Sequence, residues 1–337
     1  MYERIKPPAL KPGSTIKIIV PSSMPGNMEG LSSAINFIKK QGFKVSLSTS
    51  LTHSTPHRFS SAGDSLRKTE LENAFKNDEI DAIMALRGGS GSIDLLSTID
   101  YDIIKEHPKI FIGYSDITLL QLAFYKKANL ITFQGPMLID LLEKDQNVLS
   151  YNWSTLIDII KNGESLMLQN PSDSEWSKTI TEGKSKGILL GGNMSMISLI
   201  ANTAFMPKTD DSILFLEDVD IEPWVVDNIL TSLVIKGLMK RVNGVFFGEF
   251  PHYGFENILN SSNDISFMLQ NLFEENYLYS NIRDIITDVV TKKIKRVPSF
   301  LDFACCHGKY ITTMPIGTRV EINAEEHTIS MLESAVG

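Results

Sequence analysis

The sequence predicts an α/β protein with an N-terminal, mostly parallel sheet flanked by helices and a smaller mixed α/β C-terminal domain. Three observations carry this reading. Strand-like and helix-like segments alternate through the first half, the rhythm of crossover-connected parallel strands. The chain has 337 residues, more than one hydrophobic core usually serves. The alternation fades over a polar, turn-rich stretch near the middle and resumes less regularly after it. On that basis the first domain covers 1–165, a linker 166–186 and the second domain 187–337.

Residues 16–20 are an apolar run stopped by Pro21, Ser22 and Ser23, and read as a strand. Residues 31–40 have helical periodicity and close on Gly42. Residues 43–47 alternate as a strand does, and 64–76 read as a charged helix. The apolar strand 80–86 ends in R-G-G-S-G-S, which runs from Arg87 to Ser92. A short buried strand at 109–112 breaks at G-Y-S-D (113–116) into a helix with Leu120, Ala123 and Phe124 on its apolar face. Residues 130–133 lead into Gln134, Gly135 and Pro136. Beyond the linker, a strand at 212–216 ends in Glu217 and Asp218. A helix over 224–237 and a strand at 244–248 follow, and residues 284–290 and 319–322 read as extended.

Apolar residues make up 42% of the chain and charged ones 21%, as in ordinary globular proteins, and the net charge is −8. Nucleic-acid binding wants a basic face, so no nucleic-acid partner is expected. The one basic cluster, 292–296, reads as a solvated loop. No apolar run approaches a membrane span, and residues 1–14 lack the core of a signal peptide. The two cysteines, Cys305 and Cys306, are adjacent and make no disulfide framework. A cytoplasmic protein is the expectation.

Ser115 occupies the turn between strand and helix, beside free N–H groups and the positive end of a helix dipole. That place suits an alkoxide, yet Ser and Asp are also common helix caps, and the spacing only approximates the G-x-S-x-G elbow. Gly88 and Gly89 let backbone N–H groups approach a ligand, as an oxyanion hole requires; a plain tight turn reads the same way. The loop lacks the third glycine of a dinucleotide fingerprint, and no Walker pattern is present. Of the six histidines, His307 enters a small-residue turn after a buried segment and can point into a cleft. His53, His57, His107, His252 and His327 lack such flanks, and no metal-ligand spacing recurs. Glu217 ends an apolar strand, either solvated at the rim or aimed at a site.

Together these pieces resemble the LD-carboxypeptidase family of serine peptidases. The resemblance rests on R-G-G-S-G-S, P-K-I-F-I-G-Y-S-D-I-T-L-L, T-F-Q-G-P-M, G-I-L-L-G-G-N-M-S (187–195), F-L-E-D-V-D (215–220) and His307 before P-I-G (315–317), in order along nearly the whole chain. The long linker through Trp176 resembles the microcin C immunity (MccF-like) branch. The resemblance implies a flavodoxin- or glutamine-amidotransferase-like first domain, a homodimer and no cofactor. It also implies a triad of Ser115 as nucleophile, His307 as base and Glu217 as orienting acid, in the cleft between domains. Asp116 and Gly89, with Gly88 next, would supply the oxyanion N–H groups. Arg87 is a candidate carboxylate or phosphate partner or a structural ion pair, and Trp176 a stacking residue or a linker anchor. Members usually place Gly before the histidine, where this chain has Cys306. The implied substrates are a small peptide or peptidyl-nucleotide amide, or a murein tetrapeptide losing its terminal D-alanine. A non-catalytic small-ligand binding protein is the alternative of another class.

Overall fold

The computed structural model describes residues 3–53, 56–162, 166–171, 177–251 and 282–337. Its first half runs β1 (Thr15–Ile19), α1 (Leu31–Lys40), β2 (Lys44–Leu47), α2 (Ser50–His53), α3 (Asp64–Lys76), β3 (Ala82–Ala85), α4 (Tyr101–Glu106), β4 (Ile110–Gly113), α5 (Thr118–Ala128), β5 (Thr132–Gln134) and α6 (Gln146–Asn162). The second half comprises β6 (Met167–Leu168), β7 (Lys178–Thr181), β8 (Lys184–Asn193), α7 (Met194–Ile200), β9 (Ser212–Glu217), α8 (Pro223–Ile235), β10 (Gly244–Gly248), α9 (Ile282–Lys293), β11 (Ser299–Phe303), β12 (Met314–Ile316), β13 (Arg319–Asn323) and β14 (Thr328–Met331).

The first sheet has six strands in the order β12-β5-β4-β3-β1-β2, parallel throughout except for β12. Every residue of β3 and β4 is buried, so these strands read as continuous apolar runs with no alternation. Strand order reverses between β1 and β3, and the crevice beyond the carboxyl ends at such a point is where ligands bind in open α/β sheets. The second sheet has eight strands, with a parallel centre β8-β9-β10-β11 and antiparallel flanks.

Two features shape the seam between the sheets, and a third the flanks of the second sheet. Helix α5 buries residues on all sides, since it lies between its own sheet and β8 and α7 of the second half. Strand β12 leaves the second half and pairs antiparallel with β5 at the edge of the first sheet. The polar stretch 166–186 supplies β6, β7 and the start of β8; β7 is only half-buried, which explains its polar composition.

Residues 284–290, which read as extended, lie instead inside helix α9. Their β-branched residues favour a strand locally. The buried positions, however, are Ile282, Ile286, Val289 and Val290, the i, i+4, i+7, i+8 stripe of a helix docked on α8. Among the described residues no helix is long and apolar enough to cross a membrane.

Candidate active site

Strand β4 ends at Gly113, where a Cβ would stand 2.9 Å from Ile117 and 3.2 Å from Ala85, so only glycine lets the chain turn there. Tyr114 remains extended, and Ser115 then takes φ 64°, the left-handed region. For a non-glycine residue that region costs about 1–2 kcal/mol. The strain sits at the one residue that the turn lifts above the sheet, half-buried, at the start of a short 3-10 turn that leads into α5. Such outliers persist where the surrounding structure over-determines them, and they cluster at functional sites.

What over-determines this turn is a buried polar frame. The Asp116 carboxylate accepts from Ser22 Oγ (2.6 Å) and from the Ser92 backbone N–H (2.9 Å). It thereby ties the ends of β1 and β3 to the turn. Burial pushes the Asp116 carboxyl up, and those hydrogen bonds and Arg67 work against the rise. Arg67, wholly buried, donates to the carbonyls of Pro21, Gly91 (2.8 Å) and Ala62 (3.0 Å) and fixes the glycine-rich loop from behind. Gly88 lies directly on Ser115: a Cβ there would meet Ser115 Cβ at 2.7 Å and Oγ at 2.9 Å. Gly89 (φ 123°) faces Ser23. Among the described residues nothing accepts from the backbone N–H groups of Gly88, Gly89 or Asp116.

Glu217 ends β9 fully buried, and its Oε2 lies 2.6 Å from His307 Nδ1. The rim alternative for Glu217 is therefore not met. Its Oε1 has no hydrogen-bond partner among the described residues. A Cβ on Gly248 would clash with Glu217 Cβ at 2.8 Å, so β10 needs glycine there to let the acid pack. The imidazole is 15% exposed and stands edge-to-face on Tyr114, with centroids 5.0 Å apart. Burial alone pushes the His307 pKa down. The charge and hydrogen bond of Glu217, with Asp218 and Asp140 behind it, outweigh burial and hold it above 6.5. No hydrogen bond joins Ser115 Oγ to the ring; such contacts often tighten only on substrate binding.

Cys306 has φ 55°, which accounts physically for a glycine preference at this position. Its buried Sγ donates to Gln134 Oε1 (3.4 Å), and Gln134 Nε2 donates to Thr118 Oγ1 (2.9 Å) at the start of α5. A chain of contacts thus links the His307 loop to the start of α5. Asp218 accepts from Asn193 Nδ2 (2.9 Å), Ser195 N (2.9 Å), Ser195 Oγ (2.6 Å) and Val219 N (3.0 Å), which makes it an anchor of the β8 end.

Arg87 is half-buried. Its Nε donates to the Gly88 carbonyl (3.2 Å), and among the described residues it has no carboxylate partner. Trp176 and His252 lie outside the described residues. His327 is held by Thr179 (2.9 Å) and Phe300 in the second sheet. Among the described residues no cluster of three or more His, Cys, Asp or Glu could hold a metal. A cavity of about 440 Å³ lined by Glu249, Arg283, Asp302 and Lys309, among others, opens beside the histidine loop without including Ser115 or His307. Sequence reasoning missed Tyr114 and Asp140, the latter accepting from Tyr114 Oη (3.0 Å) and Met137 N (2.7 Å).

A model described as the LD-carboxypeptidase N-terminal domain matches residues 16–135, and one described as its C-terminal domain matches 186–322. A probable murein peptide carboxypeptidase of Bacillus subtilis (strain 168) is 29% identical over 331 residues, 98% of this chain and 95% of the relative. The microcin C7 self-immunity protein MccF of Escherichia coli is 26% identical over 322 residues, 89% and 87% of the two chains. The crystal structure of an MccF-like protein from Bacillus anthracis str. Ames superposes with a TM-score of 0.82 at 29% identity, covering 97% of this chain and 99% of that one. MccF in complex with aspartyl sulfamoyl adenosine gives 0.82 at 24% identity over 99% and 100%, a likeness of fold.

Proposed function

The chain belongs to the LD-carboxypeptidase family of serine peptidases, and from that premise we propose that it hydrolyses a small amide through Ser115, His307 and Glu217. The observation that carries this is the 2.6 Å contact between a buried carboxylate and an imidazole packed on the residue next to a strained, half-buried serine.

A serine hydroxyl is a weak nucleophile until a base takes its proton. His307 removes that proton as Ser115 Oγ attacks the substrate carbonyl. Glu217 fixes Nδ1 as the protonated nitrogen, leaves Nε2 free to accept, and stabilises the imidazolium that forms. The oxyanion settles against the unclaimed N–H of Asp116 and of Gly89 or Gly88; one such donor is worth roughly 2.7–4 kcal/mol in the barrier. His307 then gives its proton to the leaving amine, and water releases the acyl group by the same steps in reverse.

We assign the substrate as a small peptide or peptidyl-nucleotide amide of the kind that the MccF-like relatives suggest. Arg87, without an ionic partner among the described residues, supports a substrate carboxylate or phosphate beside the loop, since its planar fork binds either in two-pronged fashion. Removal of the terminal D-alanine from a murein tetrapeptide is the second reading, favoured by the Bacillus subtilis relative. We further infer a cytoplasmic homodimer that works without a cofactor. Incubation with aspartyl sulfamoyl adenosine and with an L–D murein tetrapeptide, followed by mass spectrometry, separates the substrates. Cleavage of the tetrapeptide alone removes the nucleotide reading. Cleavage of neither, with no fluorophosphonate adduct on Ser115, leaves only a binding protein.

A further inference from the structure

We propose that Asp140 is a positioning residue for the His307 imidazole, acting through the Tyr114 hydroxyl as an outer carboxylate in addition to Glu217. The proposal rests on the triad reading and extends it to a residue outside the triad.

The geometry is a short relay. Asp140 sits in a 3-10 turn, Leu138–Leu142, at the carboxyl edge of the first sheet. Its Oδ2 accepts from Met137 N (2.7 Å), which orients the carboxylate, and its Oδ1 accepts from Tyr114 Oη (3.0 Å). Tyr114 precedes the nucleophile, and its ring meets the imidazole edge-to-face at 5.0 Å and 79°. The hydroxyl bond fixes the ring, and the ring fixes the tilt of the imidazole. Glu217 holds only one nitrogen of His307 and leaves rotation about that contact unrestrained. A second contact removes this freedom, and a tenfold rate depends on such orientation when the reacting atoms must meet within hydrogen-bond reach.

The electrostatics agree with the geometry. Burial lifts the Asp140 carboxyl to about 6; the Met137 and Tyr114 hydrogen bonds and the His307 cation oppose the rise, and Glu143 adds to it. Asp140 in turn helps to hold His307 up. Burial, and then Asp140, keep the Tyr114 phenol protonated and donating. The other groups acting on the imidazole are Glu217 and Asp218, and the Cys306 thiol lies next to it in the chain. On the Asp140 side, Ile139 N donates to the Leu86 carbonyl, which makes Arg87 the neighbouring cation of that strand end. Helix α1 packs on the same turn through Gly30 against Leu142, and its cations, Lys39 and Lys40, sit in its last turn.

Asp140→Asn removes the charge and keeps one acceptor oxygen, for the Tyr114 hydroxyl or the Met137 N–H but not both. The test is the His307 ring titration by NMR in isotope-labelled protein, assigned with His307→Gln, alongside the pH profile of kcat/KM. The wild-type ring titrates above 6.5. In D140N its midpoint falls by on the order of half a unit, less than the roughly one to three units of a charge in direct contact. The acid limb of kcat/KM moves to lower pH by the same amount, because less alkali is needed to free the base. In the unmodified protein the His307 resonance carries a second inflection near the Asp140 midpoint. Tyr114→Phe, which keeps the ring and the charge, lowers kcat about tenfold with KM nearly unchanged.

A His307 midpoint that stays put in folded D140N overturns the proposal; if D140N fails to fold, a wild-type resonance without the second inflection overturns it. Failure of the triad reading looks different: Ser115→Ala keeps its hydrolytic rate, whereas the titration coupling remains readable in an inactive protein.

Discussion

Glu217→Gln tests the proposed triad most directly, because it changes a charge without changing a shape. Glu217 is fully buried and its contact to Nδ1 is 2.6 Å, so water screens the pair little. Glutamine fills the same space but can present its amide N–H to Nδ1. That forces the other ring nitrogen to carry the proton, and a ring protonated at Nε2 cannot accept from Ser115. The loss is then of a kind seen when the acid of a serine triad is amidated, about 10⁴-fold in kcat. At roughly 1.36 kcal/mol per decade this is about 5.4 kcal/mol in the barrier. The pH dependence follows the same bond. Glu217 is the largest influence raising the His307 pKa, so removing its charge lowers that pKa, and the acid limb of activity moves down from its position above 6.5. The assay is the rate of Ser115 phosphonylation by a fluorophosphonate with loss of fluoride, which stands in for acylation, followed by intact mass from pH 5 to 9, with thermal melting at each end. At alkaline pH the ring is neutral in both proteins, so melting temperatures stay close while the rates diverge. A Glu217→Gln protein that acylates within tenfold of wild type at pH 8.5, with its acid limb unmoved, refutes this account.

Ser115→Ala takes up no fluorophosphonate and melts near wild type, since the hydroxyl makes no hydrogen bond among the described residues; an adduct elsewhere would relocate the nucleophile. Gly88→Ala puts a methyl 2.7 Å from Ser115 Cβ and lowers the acylation rate at least a hundredfold, roughly 2.7 kcal/mol, while circular dichroism is unchanged. Cys306→Gly relieves a positive φ, worth roughly 1–2 kcal/mol, and gives up a buried thiol and its bond to Gln134. The two nearly offset, so melting shifts by only a few degrees and acylation stays within tenfold; a larger loss would give the thiol a role in the site. Arg87→Gln raises KM for an acidic substrate about tenfold or more and leaves acylation by a neutral phosphonate untouched; equal effects on both would return Arg87 to a structural role.

Much of this arrangement is legible in the sequence, for identifiable reasons. Ser115 and Glu217 stand where apolar strands stop, and a polar residue at the end of a buried run is conspicuous. His307 stood out for the same reason, following the segment that forms β11. The β-branched residues of helix α9 speak for a strand locally, whereas the docking stripe of Ile282, Ile286, Val289 and Val290 decides for a helix through tertiary packing. Asp140 carries no such mark: it lies in a short polar-apolar turn, and only the fold brings Tyr114 to it. The strands β6 and β7 were hidden because partly solvated flank strands need no apolar alternation. The return of β12 to the first sheet is a long-range pairing that no local pattern announces.

That return has a mechanical consequence. The polypeptide passes His307 and, within ten residues, is stitched by β12 to β5, whose Gln134 also grips the Cys306 thiol. The imidazole is therefore moored to the body that carries the serine as well as to the body that carries the glutamate. Wide jaw-like opening between the halves would have to tear a strand from a sheet. Entry and release of a ligand should instead proceed without separation of the two sheets, and expressing residues 1–165 alone should yield a protein with a raw β5 edge that aggregates.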